Sequence, residues 1–90
     1  MTQTESNAAN FQATFSVLLT SLASSAVMSM GLAPDPNTGQ THKDKPMARF
    51  NIDLLMVLKE KTKGNLTQDE DGFLNALLSD LQMKFVQMKD

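Results

Sequence analysis

The stretch 58-LKEKTKGNLTQDE-70 decides the fold. It crowds three lysines, a Gly-Asn pair, two threonines and a run of acids between two apolar segments. Two readings compete: a ligand loop, or the corner between two helices. Lys59, Lys61 and Lys63 come first, and cations are favoured in the last turn of a helix by its negative dipole end. Gly64 follows where a left-handed stop residue belongs. Leu66 is placed to plug the corner. Thr67-Gln68-Asp69-Glu70 then has the spacing of a capping box, in which Thr67 accepts from the Glu70 amide and the Glu70 side chain reaches back to the Thr67 amide. Asp69, Glu70 and Asp71 fall in the first turn, where negative charge is stabilised. Every feature has a role in stopping one helix and starting the next.

The ligand readings fit less well. A calcium loop with Gly72 at its sixth position would begin on Thr67 and end on Leu78, where an acid and a glutamate are needed. A phosphate loop needs glycine-rich backbone feeding a helix N-terminus. Here the lysines precede the glycine, and the next helix opens with acids that repel an anion. The stretch therefore predicts an antiparallel helical hairpin with a short connection.

Working backwards, the second helix is expected over residues 45–63, opened by Asp44 and a first-turn Pro46 and closed by Gly64. Ala48, Ile52, Leu55 and Leu58 share one side, and Met47, Phe50, Leu54 and Val57 continue the apolar surface round the other. Only Arg49, Asp53 and Glu60 make a polar strip, so this helix reads as buried on most sides. Arg49 and Asp53 have the i,i+4 spacing of a surface ion pair. Working forwards, the third helix is expected over 67–88, with Leu74, Leu77, Leu78, Leu81, Phe85 and Met88 as its apolar stripe. Gly72 costs helix stability there and allows close approach of another backbone.

The first helix is expected over 10–30, capped by Asn10, with a stripe of Phe11, Phe15, Leu18, Leu22, Ala26 and Met30 and with Leu19, Ala23 and Val27 beside it. Gly31 is its stop, Leu32 its contact back onto Val27, and Pro34 forbids continuation. The segment 34-PDPNTGQTHKDK-45 is rich in turn formers and lacks apolar periodicity, so it is a loop. Residues 1–9 read as a flexible N-terminus, and residues 10–90 as a single all-α domain of three helices. A chain of 90 residues supports no more than one domain.

Composition excludes several functions. A net charge of −2 offers no basic face for nucleic acid. The absence of cysteine removes disulfides, thiolate metal sites and cysteine nucleophiles. His42 stands alone as a metal ligand, and it is the only base that a nucleophilic Ser24 or Ser25 could use. No charged side chain occurs from Phe11 to Pro34, yet Thr20, Ser21, Ser24, Ser25 and Ser29 dilute the hydropathy, and neither end has a basic or aromatic anchor, so a membrane span is not expected. No basic segment precedes that stretch to make it a secretory leader.

The segments 15-FSVLLTSLASSAVMSMGLAPDPNTGQ-40, 52-IDLLMVLKEKTKGNLTQDE-70 and 73-FLNALLSDLQMKFVQM-88 resemble a family of small bacterial proteins described as domain of unknown function 1844, most specifically at the KTKGNLT corner. The resemblance implies a bacterial, cytoplasmic protein and supplies no activity, cofactor or catalytic residue.

What remains is a surplus of apolar helix surface. Three short helices do not readily enclose it, and chains this small often complete their stability by association. The expectation is a non-catalytic homo-oligomer, most simply a dimer, with an interface drawn from Phe11, Phe15, Leu18, Leu22, Ala26, Phe50, Leu54 and Val57. An unknown protein partner is the other candidate for this surface. No cofactor, metal or nucleic acid is expected. The alternative is a peripheral membrane protein using the uncharged first helix.

Overall fold

The computed structural model describes residues 12–88. Among them the chain forms three α-helices: α1, Phe15–Ser29; α2, Lys45–Lys61; and α3, Gln68–Val86. The described residues contain no strand, only an isolated antiparallel bridge between Met30 and Lys43. The fold is all-α.

Helix α1 begins later than the sequence suggests. Asn10 lies outside the described residues, and residues 12–14 are not helical. Thr14 is the cap: its backbone is extended and its Oγ1 accepts from the Val17 amide at 3.1 Å. A threonine that satisfies an orphan amide in this way defines the start locally. The far end follows expectation. Gly31 has φ +77°, its amide donates to the Met28 carbonyl at 3.0 Å, and the Leu32 amide donates to the Val27 carbonyl at 3.1 Å. These two bonds make a Schellman stop.

Helix α2 opens on Asp44, whose Oδ1 accepts from the Met47 amide at 3.1 Å, with Pro46 in the first turn. It ends at Lys61 rather than Lys63. Thr62 still donates to the Leu58 carbonyl through its amide at 2.9 Å and its hydroxyl at 2.6 Å, but the Lys63 amide turns to the Glu60 carbonyl at 3.4 Å, so the regular ladder stops there. Gly64, at φ +81°, then makes the left-handed turn, and the Asn65 amide closes onto the Thr62 carbonyl at 2.8 Å. Helix α3 carries the full capping box: the Glu70 amide donates to Thr67 Oγ1 at 3.1 Å and the Thr67 amide to Glu70 Oε1 at 2.9 Å. It ends at Val86 rather than Met88.

Each helix packs on the other two, α1 most extensively on α2. The core joins Leu19, Ala23, Ala26 and Met30 to Ala48, Ile52 and Leu55, and both sets to Leu74, Leu78 and Leu81. Alanines at Ala26 and Ala48, both fully buried, allow α1 and α2 to approach closely. The Lys45 ammonium lies 5.5 Å from the centre of the Phe85 ring, so the start of α2 sits beside the end of α3. That placement, with the short connection at the other end, is compatible with the antiparallel hairpin. The Cα atoms span only 16 Å in the thinnest direction. Helices pack 8–10 Å apart, so this depth holds two helix layers and no third.

Four expectations change. The buried line of α1 is Leu19–Ala23–Ala26–Met30, so the neighbouring Leu18 turns outward. Within the chain α2 is buried on one side, and Met47, Phe50, Met56 and Val57 stay exposed. Arg49 and Asp53 are both exposed and form no ion pair with each other; a surface pair worth a few tenths of a kcal/mol does not compel two long side chains to meet. The i,i+4 pair that does form is Asp80 with Lys84 on α3. Gly72 has open space about it, so no backbone approaches there.

Candidate functional site

The corner that opened the sequence argument forms one end of a groove between α2 and α3 with a volume of about 1050 Å³. Its α2 wall carries Met56, Lys59 and Glu60, the corner adds Lys63, and its α3 wall carries Asp71, Asn75, Ser79 and Gln82. Asn75 donates to Asp71 Oδ2 at 3.4 Å, while its own Oδ1 is buried without a partner. Gln82 Nε2 reaches Met56 Sδ at 3.8 Å, tying the two walls. The groove mixes both charge signs and neutral amides and contains no histidine.

A smaller pocket of about 300 Å³ lies where α1 meets the start of α2. It brings His42 together with Ser25, Ser29, Asp35 and Asp44. Sequence reasoning named His42 as the only base available to a helix 1 serine, and the fold does place them in one pocket. Ser29 Oγ, however, donates to the Ser25 carbonyl at 2.9 Å, and His42 makes no hydrogen bond among the described residues. A nucleophile and its base need hydrogen-bond contact, which this pocket lacks. Among the described residues no group of three His, Asp or Glu is placed to hold a metal ion.

The pocket does reveal a polar core residue that periodicity missed. Asn51 is buried on α2, and its Nδ2 donates to the Met47 carbonyl at 3.1 Å and reaches Ser29 Oγ at 3.5 Å. It is the one polar side chain among the buried residues described. Its sequence signal was an amide flanked by apolar positions on the inward side of a helix.

The apolar residues expected at an interface divide by exposure. Leu18 is 45% exposed, Phe50 54% and Val57 52%. Phe15, Leu22 and Leu54 are partly buried. Ala26 is fully buried in the core of its own chain, so it offers nothing to a partner, which corrects its assignment. Phe11 lies outside the described residues. Met47, which sequence reasoning grouped with the outer side of α2 but not with the interface, is 46% exposed and belongs with them.

These residues are ordered. On α2 the outward line is Met47, Phe50, Leu54 and Val57, in steps of three, four and three. On α1 Phe15, Leu18, Leu22 and Ser25 follow the same steps, but only Leu18 is exposed, and Phe15 and Leu22 also pack against the core of their own chain. This is the spacing of a helix seam that interlocks with another helix. Ser25 of α1 and Met47 of α2 both line the small pocket. The corresponding line on α3, Phe73, Ala76, Asp80 and Met83, is interrupted by the Asp80–Lys84 pair. Among the described residues no helix is long and apolar enough to cross a membrane.

No curated protein and no solved structure gives a significant match to this sequence. Residues 12–87, which span all three helices and the corner at 62–67, match the family described as domain of unknown function (DUF1844), and the chain belongs to that family.

Proposed function

We propose that this chain is a non-catalytic interaction module of the cytoplasm that works as a homo-oligomer, most simply a dimer. One observation carries the reading: large apolar side chains on two adjacent helices, Leu18, Met47, Phe50 and Val57, are about half exposed. Single exposed apolar residues are ordinary, but an aligned set across neighbouring helices marks an interaction site. Covering a half-exposed side chain of this size is worth about 1 kcal/mol of transfer free energy. Dimerisation gains that several times over, on a scale comparable with the cost of association.

Sedimentation equilibrium tests the proposal. The expected result is a mass that rises from monomer to dimer across the micromolar range. A mass fixed at 9.9 kDa up to about 100 µM, where even weak association of roughly −5.5 kcal/mol registers, would overturn it. A second reading, peripheral membrane association, is favoured by one feature: α1 carries no charged side chain, and its Val17 and Leu18 are exposed. Flotation with zwitterionic and with anionic vesicles separates the two. Co-flotation would support the membrane, and a protein left wholly at the bottom of the gradient ends that reading.

A further inference from the structure

We infer that the small pocket where α1 meets the start of α2 binds a primary ammonium group carried on an unbranched aliphatic stem. A free diamine and a lysine side chain share that chemistry. The inference is independent of the self-association proposed above.

The pocket has acceptors to spare. Asp35 and Asp44 each use one carboxylate oxygen on a backbone amide: Asp35 Oδ1 accepts from Asn37 at 2.8 Å, and Asp44 Oδ1 from Met47 at 3.1 Å. The second oxygen of each accepts no hydrogen bond among the described residues. No described lysine or arginine lines the pocket to answer the two charges. Both lysines that flank Asp44 are directed elsewhere. The Lys43 stem lies against Gly31, and the Lys45 ammonium lies over the Phe85 ring.

Two acids near a surface do not make a site, because water and salt ordinarily answer them. Asn51 supplies the observation that points to a ligand. It lines this pocket and is only 7% exposed. Its Nδ2 donates to the Met47 carbonyl at 3.1 Å, and only the NH₂ end of an amide can meet a carbonyl. The amide is therefore fixed, and Oδ1 is the end left over. Oδ1 accepts no hydrogen bond from the described residues, yet it is not among the sealed, unpartnered atoms, so it stays open on the pocket side. A nearly buried carbonyl without a donor costs stability until one is supplied. Ser25 is free as well. Thr20, Ser21 and Ser29 each donate their hydroxyl to the carbonyl four residues back, whereas the Ser25 hydroxyl makes no such bond.

These features select the ligand. An ammonium offers three donors, no acceptor and a full positive charge, which matches a surplus of acceptors around two carboxylates. A guanidinium fits less well, because it favours both oxygens of one carboxylate and each acid here has only one to give. The pocket also adjoins the last turn of α1, which carries no basic residue, and the negative end of a helix favours a cation. The opposite pole at the start of α2 is already met by Asp44. Met28 and Met47 provide adaptable thioether walls for an alkyl stem. A volume of about 300 Å³ is at the small end of ligand sites, which suits a short alkylamine better than a cofactor.

The test follows an isotope-labelled chain by NMR at about 0.15 M salt, where general attraction between exposed charges is screened. Cadaverine and Nα-acetyl-lysine amide are titrated separately, with pentanol as the uncharged counterpart. The expected result is saturable shifts at Ser25, Asp44 and the Asn51 side-chain amide, with a Kd below about 10 mM, and none with pentanol. Saturation by both amines shows that the ammonium and its stem suffice, so a partner's lysine can fill the site. Saturation by cadaverine alone assigns the site to a free diamine. Saturation by neither up to about 10 mM overturns the inference. The arginine counterpart of the lysine amide is expected to bind more weakly, and tighter binding would overturn the choice of ammonium.

Variants locate the site. Asp35→Asn keeps an oxygen for the Asn37 amide and loses the charge, and Asn51→Leu removes the buried acceptor. Each is expected to weaken cadaverine binding at least about fivefold, the loss of one charge-assisted hydrogen bond. Asp53→Asn, at an exposed position of α2 outside the pocket, makes the same change in net charge and is expected to leave binding unaltered. Equal weakening by Asp53→Asn, or none by Asp35→Asn, would overturn the site. Circular dichroism checks that each variant stays helical, and if Asn51→Leu does not, the two aspartate variants decide the matter.

Discussion

Gly31 and Gly72 look alike in the sequence and differ in what the fold asks of them. Gly31 sits at φ +77°, and a Cβ added there would fall 2.9 Å from Lys43 Cγ. Gly72 lies within α3 with nothing within 4 Å of such a Cβ. Gly31→Ala is therefore expected to destabilise the chain by about 1–2 kcal/mol, the cost of a left-handed conformation for a residue with a side chain. Gly72→Ala is expected to stabilise it by about 0.5–1 kcal/mol through helix propensity alone. Thermal unfolding of the two variants should move in opposite directions, by about 4–8 °C per kcal/mol for a chain of this size. A Gly72→Ala variant that melts lower than wild type would show that the glycine has a role its open surroundings do not reveal. The sequence pointed to the role of Gly31, because Leu32 and Val27 flank it at Schellman spacing. The freedom around Gly72 was not legible, because whether another backbone approaches depends on how the helices cross.

The elements depend on their ends as much as on their stripes. Thr67 and Glu70 satisfy two amides reciprocally, so Thr67→Ala is expected to cost about 1 kcal/mol, read from the denaturant midpoint at unchanged slope. An unaltered midpoint would mean that the packing of Leu74 and Leu78 alone fixes the start of α3. Asp44 caps α2 in a simpler way, with one bond to Met47, and Asp44→Ala should cost no more than the loss at Thr67. The capping box, Asp44 with Pro46, and the Gly31 stop were all readable, because each is a short-range pattern with a chemical reason. The boundaries at Thr14, Lys61 and Val86 were not. Thr14 acts through a single hydroxyl bond, and other threonines in this chain had equal claim beforehand. In α1 the buried line keeps Ala26 and Met30 of the expected stripe but runs through Leu19 and Ala23 in place of Leu18 and Leu22, for a related reason. Leu18 and Leu19 are adjacent and equally apolar, and only the location of α2 and α3 decides which of them turns inward.

For the whole molecule, the matter is what lies above the α1–α2 layer. If a second copy does, the folded state is linked to protein concentration. The midpoint of thermal unfolding should then rise as concentration is raised above the dissociation constant, and should level off below it. A midpoint constant over a hundredfold range, about 2.7 kcal/mol of chemical potential, would place all of the stability in the single chain. Sequence reading anticipated a surplus of apolar surface and named Leu18, Phe50 and Val57 among the residues that carry it, but not Val17, Met56, Phe73, Met83 or Val86. It misplaced Ala26 because an alanine on a stripe looks the same whether it faces in or out. Asn51 was missed outright. A buried amide held by Met47 and Ser29 cannot be told from a solvated one until the partner helix is in place.

The loop between α1 and α2 returns to its starting point. The Asp44 amide donates to the Ser29 carbonyl at 2.7 Å, Met30 bridges Lys43, and within the loop the Asp35 amide donates to the Gln40 carbonyl at 2.9 Å. Its base is thus pinned while its tip, Asn37 to Gly39, stands clear of the rest of the chain. A tip with a closed neck is a natural splice point. An epitope, a dye-accepting peptide or an entire small protein inserted after Thr38 would be held away from both helices at little entropic expense, and the chain should carry such cargo with its helix content intact.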